Sequence, residues 1–585
     1  MANFFDDNED LLFLFDHLDM RQLAQVQEEG FPGPDDADAP GAEFAPADVD
    51  DTIDNYRRVM HIIGDVAANC IAPHSGSVDR TGHQLNEDGT VTLNPNTQTN
   101  LDALSQAGVM GFTLPRRYGG LNFPTTMYTM AIEIVSRADA SLMNLFGLQG
   151  IAETINAFAD EDVKDEYLPR FADGQATGAM ALTEPDAGSD LQAVALRAWQ
   201  DEDDRWRLTG VKRFITNGCG EVLLTLARSE PESKDGRGLS LFLCDRGPRL
   251  RVRRLEGKLG IHGSPTCELV YDDTPAILIG ERQLGLIRYV MSLMNGARLG
   301  IAGQSLGIAE ASYREARRYA HTRRQFGVSI QKLPAVAEMV VDMKVDIEAA
   351  RALVYETSRL CDLENNNLRI LESPDIEKDE KKKRKAQGRV YKRLNGMLTP
   401  MSKYYASEMC VAVANDALQV LGGSGYMTDY PVERYLRDAR ITTIYEGTSQ
   451  LQIVAAVRGV CGGAFEKMVE QLEQHNDDDE TRAALRAKLG EGRDRVLDAI
   501  AFVKKQGGDY MDLVGRKLVD AAITVIVGHL LLRQAAADER KRLVASRFID
   551  RNLATLTRDL DLLHSGDKTP LSEFDVLAGP VPTIA

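Results

Sequence analysis

Leu333-Pro-Ala-Val-Ala-Glu-Met-Val-Val-Asp-Met-Lys-Val-Asp-Ile-Glu-Ala-Ala-Arg-Ala-Leu-Val354 is the stretch from which the architecture reads outward. Leu333, Val336, Val340, Met343, Ile347, Ala350 and Val354 recur at alternating spacings of 3 and 4 residues. On an α-helix this puts all seven on one stripe, the seam of a helical bundle, and predicts core packing for them. Upstream, Gly296, Gly300, Gly303 and Gly307 repeat at 4, 3 and 4 along one helix face. Without side chains, that face lets another backbone come very close. Downstream, a helix expected from Met401 to Leu421 stops at Gly422-Gly423.

Away from the bundle the pattern changes twice. Arg205–Leu208, Glu221–Leu226, Gly238–Cys244 and Cys267–Tyr271 are short and rich in β-formers, with turn residues between them at Asn217-Gly218, Asp235-Gly236 and Asp245–Pro248. They predict a central β domain over 179–284. Residues 51–178 carry helical spacing at Asp51–Pro73, Thr125–Ser136 and Asp162–Phe171, and predict a helical first domain. Ahead of it, Phe31–Asp50 is rich in Pro, Asp, Ala and Gly and reads as an extended arm, preceded by an amphipathic helix at Asn8–Val26 that docks on the body. The bundle occupies 285–465. Leu485, Leu489, Val496, Ile500 and Val503 predict an appended helical domain over 466–585. Glu377–Lys385 reads as a solvated, charged insertion. The expected fold class is α+β: a helical N-terminal domain, a barrel-like β domain, a four-helix bundle and a helical extension.

The 585 residues carry a net charge of −20, which opposes binding to nucleic acid or to an anionic membrane surface. Cys70, Cys219, Cys244, Cys267, Cys361, Cys410 and Cys461 form no Cys-x-x-Cys pair and are odd in number, as expected of a reducing cytoplasm. The nine histidines show no metal-ligand spacing, so no metal site is expected. The apolar run Ala521–Leu532 is 12 residues long, too short to span a bilayer.

Ile441-Thr-Thr-Ile-Tyr-Glu-Gly-Thr-Ser-Gln450 places one carboxylate, Glu446, behind an apolar run and before a glycine and two hydroxyl residues. Two readings stand. A half-desolvated carboxylate has raised proton affinity, Gly447 admits a ligand to the backbone, and Thr448, Ser449 and Gln450 offer hydrogen bonds: a general base beside a cofactor. The other is a capped helix start with a solvated Glu.

Several separated motifs over Asp51–Cys461 resemble the acyl-CoA dehydrogenase family, and the length and both extensions resemble its long bacterial branch. Ala181-Leu-Thr-Glu-Pro-Asp-Ala-Gly-Ser-Asp190 is similar to the family's first flavin segment, which implies Thr183 at the isoalloxazine edge and Ser189 near the pyrophosphate and the CoA thioester. Phe214-Ile-Thr216 is similar to the second, with Phe214 against the ring and Thr216 bonding the flavin. Arg323-Arg-Gln-Phe-Gly327 resembles the segment that reaches a neighbouring subunit's FAD. That implies roles for Arg323, Gln325 and Phe326, with Gln419, Gly422 and Gly423 at the adenine end of the shared site. Thr448 and Gln450 become flavin contacts, in place of a helix cap. Glu446 matches the catalytic base. The position that carries the base in some relatives is Ala297 here, which accepts no proton. Arg298 and Gly447 would lie at the substrate.

The resemblance implies FAD as cofactor and an acyl-CoA as substrate. Glu446 would abstract the α-proton while flavin N5 takes the β-hydride, giving trans-2-enoyl-CoA, with an electron-transfer flavoprotein as acceptor. A shared flavin site implies a homodimer or a dimer of dimers. Two other readings remain: an acyl-CoA oxidase using O2, and a non-enzymatic nucleic-acid-binding flavoprotein. The acidic charge and the intact Glu446 oppose the second.

Overall fold

The seam residues lie along a single helix, Pro334–Glu372, entered through Leu333, and Val340, Met343, Ile347, Ala350 and Val354 are buried on it. This computed structural model describes residues 2–28, 31, 41–372, 376–474 and 479–582 and is 66% helical. The seam helix packs chiefly on the 44-residue helix Lys378–Leu421, whose other flank packs on the 32-residue helix Met291–Thr322, with Val432–Thr442 completing the bundle. The last long helix was expected to start at Met401. It starts 23 residues earlier, runs through Pro400 and absorbs the charged stretch from Lys378 to Lys385 as exposed opening turns. Charge alone does not break a helix whose Lys, Glu and Arg residues have good helix propensity.

The glycine stripe meets the helix Thr125–Ala138. A Cβ on Gly307 would lie 2.4 Å from the Glu133 carbonyl oxygen, and one on Gly303 would lie 3.1 Å from that of Thr129. Gly300 is less tightly faced, and Gly296 faces open space. Backbone contact therefore explains half of the stripe. The same neighbouring helix is capped from the bundle, where Asp362 accepts from the Thr125 and Thr126 amides at 2.6 and 2.9 Å.

The central domain closes on itself. Val222–Arg228 pairs antiparallel with Leu239–Asp245, which pairs with Thr266–Ile279, which pairs with Trp206–Thr216, which pairs with Arg197–Gln200. Arg197–Gln200 returns to Val222–Arg228 through Arg197 and Arg228, so the ring is barrel-like. Gly178–Ala181 shares the Val222–Arg228 edge with Arg197–Gln200, and Leu250–Leu255 shares the Thr266–Ile279 edge with Leu239–Asp245. The strands Gly178–Ala181, Arg197–Gln200 and Leu250–Leu255 were not expected; Arg197–Gln200 lacks an apolar alternation, whereas Leu250-Arg-Val-Arg has one that was passed over.

The N-terminal segment forms two helices, Glu9–His17 and Met20–Glu28, in place of the one expected. Asn8 caps the first, and Leu11, Leu14, Phe15 and Leu23 dock on the body. Of the expected arm, residues 32–40 lie outside the described residues. The extension consists chiefly of helices Ala464–Leu472, Glu480–Gln506, Gly508–Ala535 and Glu539–His564. Its Leu485, Leu489, Val496, Ile500 and Val503 are buried in a core continuous with bundle residues such as Leu353, Met397 and Tyr404. The run Ala521–Leu532 belongs to the 28-residue helix Gly508–Ala535, which among the described residues is long and apolar enough to cross a membrane. However, 83% of its most apolar window is buried within the protein.

Candidate active site

Glu446 stands between two helices, Val432–Thr442 and Ser449–Cys461, on a turn of unusual backbone. Its φ is 54° and that of Gly447 is 88°, so two consecutive residues are left-handed. The conformation is easy for glycine and strained for glutamate. A Cβ on Gly447 would come within 2.5 Å of the Gln452 side-chain nitrogen and would push that side chain off the turn, on a backbone that itself favours glycine. The turn is pinned from three directions. Gln452 donates to the carbonyls of Glu446 and Gly447 at 3.0 and 3.1 Å. The Lys403 ammonium donates to the Gly447 carbonyl at 2.8 Å. The Tyr445 hydroxyl bonds to Gln304, and to Asn144 Oδ1 at 3.2 Å.

Glu446 as a residue is half-buried, but its carboxyl group lies deep enough for burial to raise its proton affinity. The charges of Lys403 and Arg298 oppose that rise. Burial lowers the Arg298 guanidinium in turn, and Glu446 counteracts it. Arg298 donates to Asn295 Oδ1 at 3.1 Å, and its buried Nε has no partner among the described residues. A carboxylate with raised proton affinity, near two cations and an unsatisfied donor, is suited to taking a proton from a weak carbon acid whose product carries negative charge.

The motif residues form two further groups. Thr183 and Ser189 lie in the loop after strand Gly178–Ala181, where Ser189 is exposed. Glu184 shapes this loop: it accepts from the Ala195 and Leu196 amides at 2.8 and 2.9 Å and from the fully buried Lys212 at 2.8 Å. Phe214 and Thr216 end the adjoining strand. Phe214 is left-handed at φ 60° and 52% exposed.

Arg323, Gln325 and Phe326 sit on the exposed hairpin Arg324–Gln325/Val328–Ser329, and Phe326 is 89% exposed at φ 52°. Gln419, Gly422 and Gly423 are exposed at the end of the long helix. The two sets share one end of the bundle, because Tyr319, four residues before Arg323, donates to Ser424 at 3.2 Å. Gln450 is exposed. Thr448 is the N-cap of Ser449–Cys461, its hydroxyl oxygen accepting from the Leu451 amide at 3.4 Å. This corrects the expectation that Thr448 is not a cap: a helix starting there needs an acceptor for its first-turn amides. The hydroxyl proton remains available to a ligand.

Lys403, Gln452, Glu184 and Lys212 were not singled out from the sequence. Only the buried Lys212 carried a signal, sitting in the alternating run that leads to Phe214.

These residues fit a flavin. Two aromatic rings, Phe214 and Phe326, stay exposed on strained backbone, Phe214 with only the Arg213 guanidinium over it at 4.6 Å, and each gains if a planar apolar ligand covers it. Beside them are hydroxyl and guanidinium donors suited to a phosphorylated, heteroaromatic ligand.

Family models describe the same arrangement. The acyl-CoA dehydrogenase N-terminal domain matches residues 56–175, the middle domain 179–274 and the C-terminal domain 287–461. A further acyl-CoA dehydrogenase C-terminal model matches 461–551. A short-chain-specific acyl-CoA dehydrogenase of Clostridium acetobutylicum is 33% identical over 403 residues, 67% of this chain and 94% of that protein. The solved butyryl-CoA dehydrogenase of Megasphaera elsdenii is 30% identical with a TM-score of 0.59, covering 71% of this chain and 98% of its own. The Bacillus anthracis acyl-CoA dehydrogenase complexed with FAD shares the fold over 91% of this chain and 92% of its own, with a TM-score of 0.74 at 22% identity. The motifs, the barrel between helical domains and these matches agree: the chain belongs to the acyl-CoA dehydrogenase family, FAD-dependent oxidoreductases acting on acyl-CoA thioesters.

Proposed function

We propose that Glu446 is the general base of an α,β-dehydrogenation, removing the α-proton of an acyl-CoA whose product is the trans-2-enoyl-CoA. FAD, when bound, supplies the acceptor for the hydride that leaves the β-carbon. The observation that carries the reading is the Glu446 carboxyl group, partly withdrawn from solvent on a pinned left-handed turn and under the charges of Arg298 and Lys403. Burial makes the carboxylate a stronger base, and the two cations keep a usable fraction of it ionised. The free Nε of Arg298 offers a donor to negative charge that builds on the thioester, and Ser189 and Gly447 border the substrate.

Thr183, Phe214, Thr216, Thr448 and Gln450 would hold the flavin of their own subunit. Arg323, Gln325, Phe326, Gln419, Gly422 and Gly423 would reach the flavin of a second copy, in a homodimer or a dimer of dimers. The exposure of Arg323, Phe326 and Gln419 supports that assignment. The electrons pass to an electron-transfer flavoprotein.

The test is Glu446→Gln in the FAD-loaded enzyme, assayed by anaerobic flavin bleaching against a panel of acyl-CoAs. The variant keeps its flavin and bleaches slower by on the order of 10²–10⁴ or not at all. Bleaching at the unmodified rate would remove Glu446 from the role. The same panel ranks the acyl chains.

A further inference from the structure

Lys403 lies in the interior of the helix Lys378–Leu421 with no exposed surface. Lysine is almost never buried in this way without a partner that uses its charge. Its recorded hydrogen bond is to the Gly447 carbonyl, at 2.8 Å and 44 residues away in the chain. That carbonyl belongs to the second of the two consecutive left-handed residues, and the first of them is Glu446.

We propose that Lys403 is a positioning residue for the dehydrogenation. Its ammonium clamps the Gly447 carbonyl, fixes the turn that aims Glu446, and holds a positive charge against the base. The proposal rests on the reading of Glu446 as the base.

The surroundings make the charge count. The two cations whose charges act on Glu446 come from different helices, Arg298 from Met291–Thr322 and Lys403 from Lys378–Leu421. On the latter helix Glu408 is bound by Arg516 at 2.8 Å from the extension and accepts from Ser449 at 2.5 Å; it supports the Lys403 charge less than Glu446 does, and Arg298 opposes that charge. Tyr445 is committed to Asn144 and Gln304. Two cations therefore oppose the upward push of burial on Glu446, and removing Lys403 leaves Arg298 alone. Burial pulls the Lys403 ammonium down to about 7, with Glu446 opposing that pull. Lys403 is thus charged on the acid side of neutrality, where its charge opposes the rise that burial imposes on Glu446.

The experiment measures the anaerobic flavin-bleaching rate across acid and neutral pH, using FAD-loaded enzyme and the acyl-CoA that bleaches the unmodified flavin fastest. In Lys403→Met and Lys403→Gln the acid limb moves to higher pH by about one unit. In Lys403→Arg, which keeps the charge, it stays within a few tenths of the original. Lys403→Gln retains a donor for the Gly447 carbonyl, so it reports on the charge even if Lys403→Met loses its flavin. An unmoved acid limb in a flavin-loaded Met or Gln variant would overturn the proposal, as would an equal shift in Lys403→Arg. Glu446→Gln bleaching at full rate would instead remove the base reading itself, so the two failures are distinguishable.

Discussion

Asp10→Ala should detach the N-terminal helices from the body, and the loss can be worked from the charges around it. Asp10 is 3% exposed on the helix Glu9–His17 and makes ion pairs with Arg351 of the seam helix and Lys541 of the extension. Burial pushes its carboxyl up, but Lys541, Arg351 and Lys344 more than reverse this and hold it well below the usual carboxylate range. Removing one member of a buried pair ordinarily costs about 3–5 kcal/mol, because the partner charge is stranded. Here neither partner is stranded completely. Arg351 keeps Glu133 at 2.7 Å and Glu310 at 3.0 Å, and Lys541 keeps Glu348 at 2.8 Å. The low end, about 3 kcal/mol, is therefore expected. Because the folded carboxyl titrates below its unfolded value, its contribution is full above about pH 3.9 and is lost as the pH falls below that. Chemical denaturation at neutral pH, together with proteolysis of the first 28 residues, measures the effect. The variant should converge towards the unmodified protein at acid pH, and Asp10→Leu with Lys541→Met should recover most of the loss. A change of less than about 1 kcal/mol in Asp10→Ala would refute the argument that this carboxylate holds the arm.

Three further substitutions test other parts of the structure. Arg323→Ala should lower the flavin content of the purified protein without changing the unfolding midpoint of the flavin-free protein, since Arg323 is exposed and its guanidinium carries no part of the core; unchanged flavin occupancy would contradict the shared-site assignment. Gly307→Ala puts a methyl group 2.4 Å from the Glu133 carbonyl and should destabilise by about 1–3 kcal/mol, whereas Gly296→Ala, which faces open space, should not; thermal unfolding of the pair separates them.

What the sequence disclosed follows the range of the forces involved. The seam was legible because burial of Val340, Met343, Ile347 and Val354 repeats with the helix itself, and local periodicity is written in neighbouring letters. The four strands that were read alternate or run apolar, while Arg197–Gln200 hides among polar residues and is recruited by its neighbours in the ring. Glu446 was legible as a chemical type from its apolar approach and following glycine. Its environment was not, because Lys403 and Arg298 arrive from other helices. Ser402-Lys403-Tyr404 reads as ordinary helix surface, and only the fold makes it interior. The same holds for Asp10, which stands in an acidic run indistinguishable from a solvated one.

The buried charges also say how the extra segments relate to the family core. Asp10 precedes the first matched domain, Lys541 lies in the additional C-terminal one, and Arg351 lies inside the bundle between them. All three meet at one carboxylate, with Glu133, Glu310 and Glu348 closing the network around Arg351 and Lys541. Each ion would be costly to bury alone, so the arm and the extension stabilise the same charged centre and neither can be removed without leaving the other short of a partner. Arg516 carries the extension further in: it binds Glu408, which binds Ser449 at the helix start three residues after Glu446. The extension is thereby coupled to the turn that presents the base, and trimming it should disturb Glu446 before it disturbs the barrel.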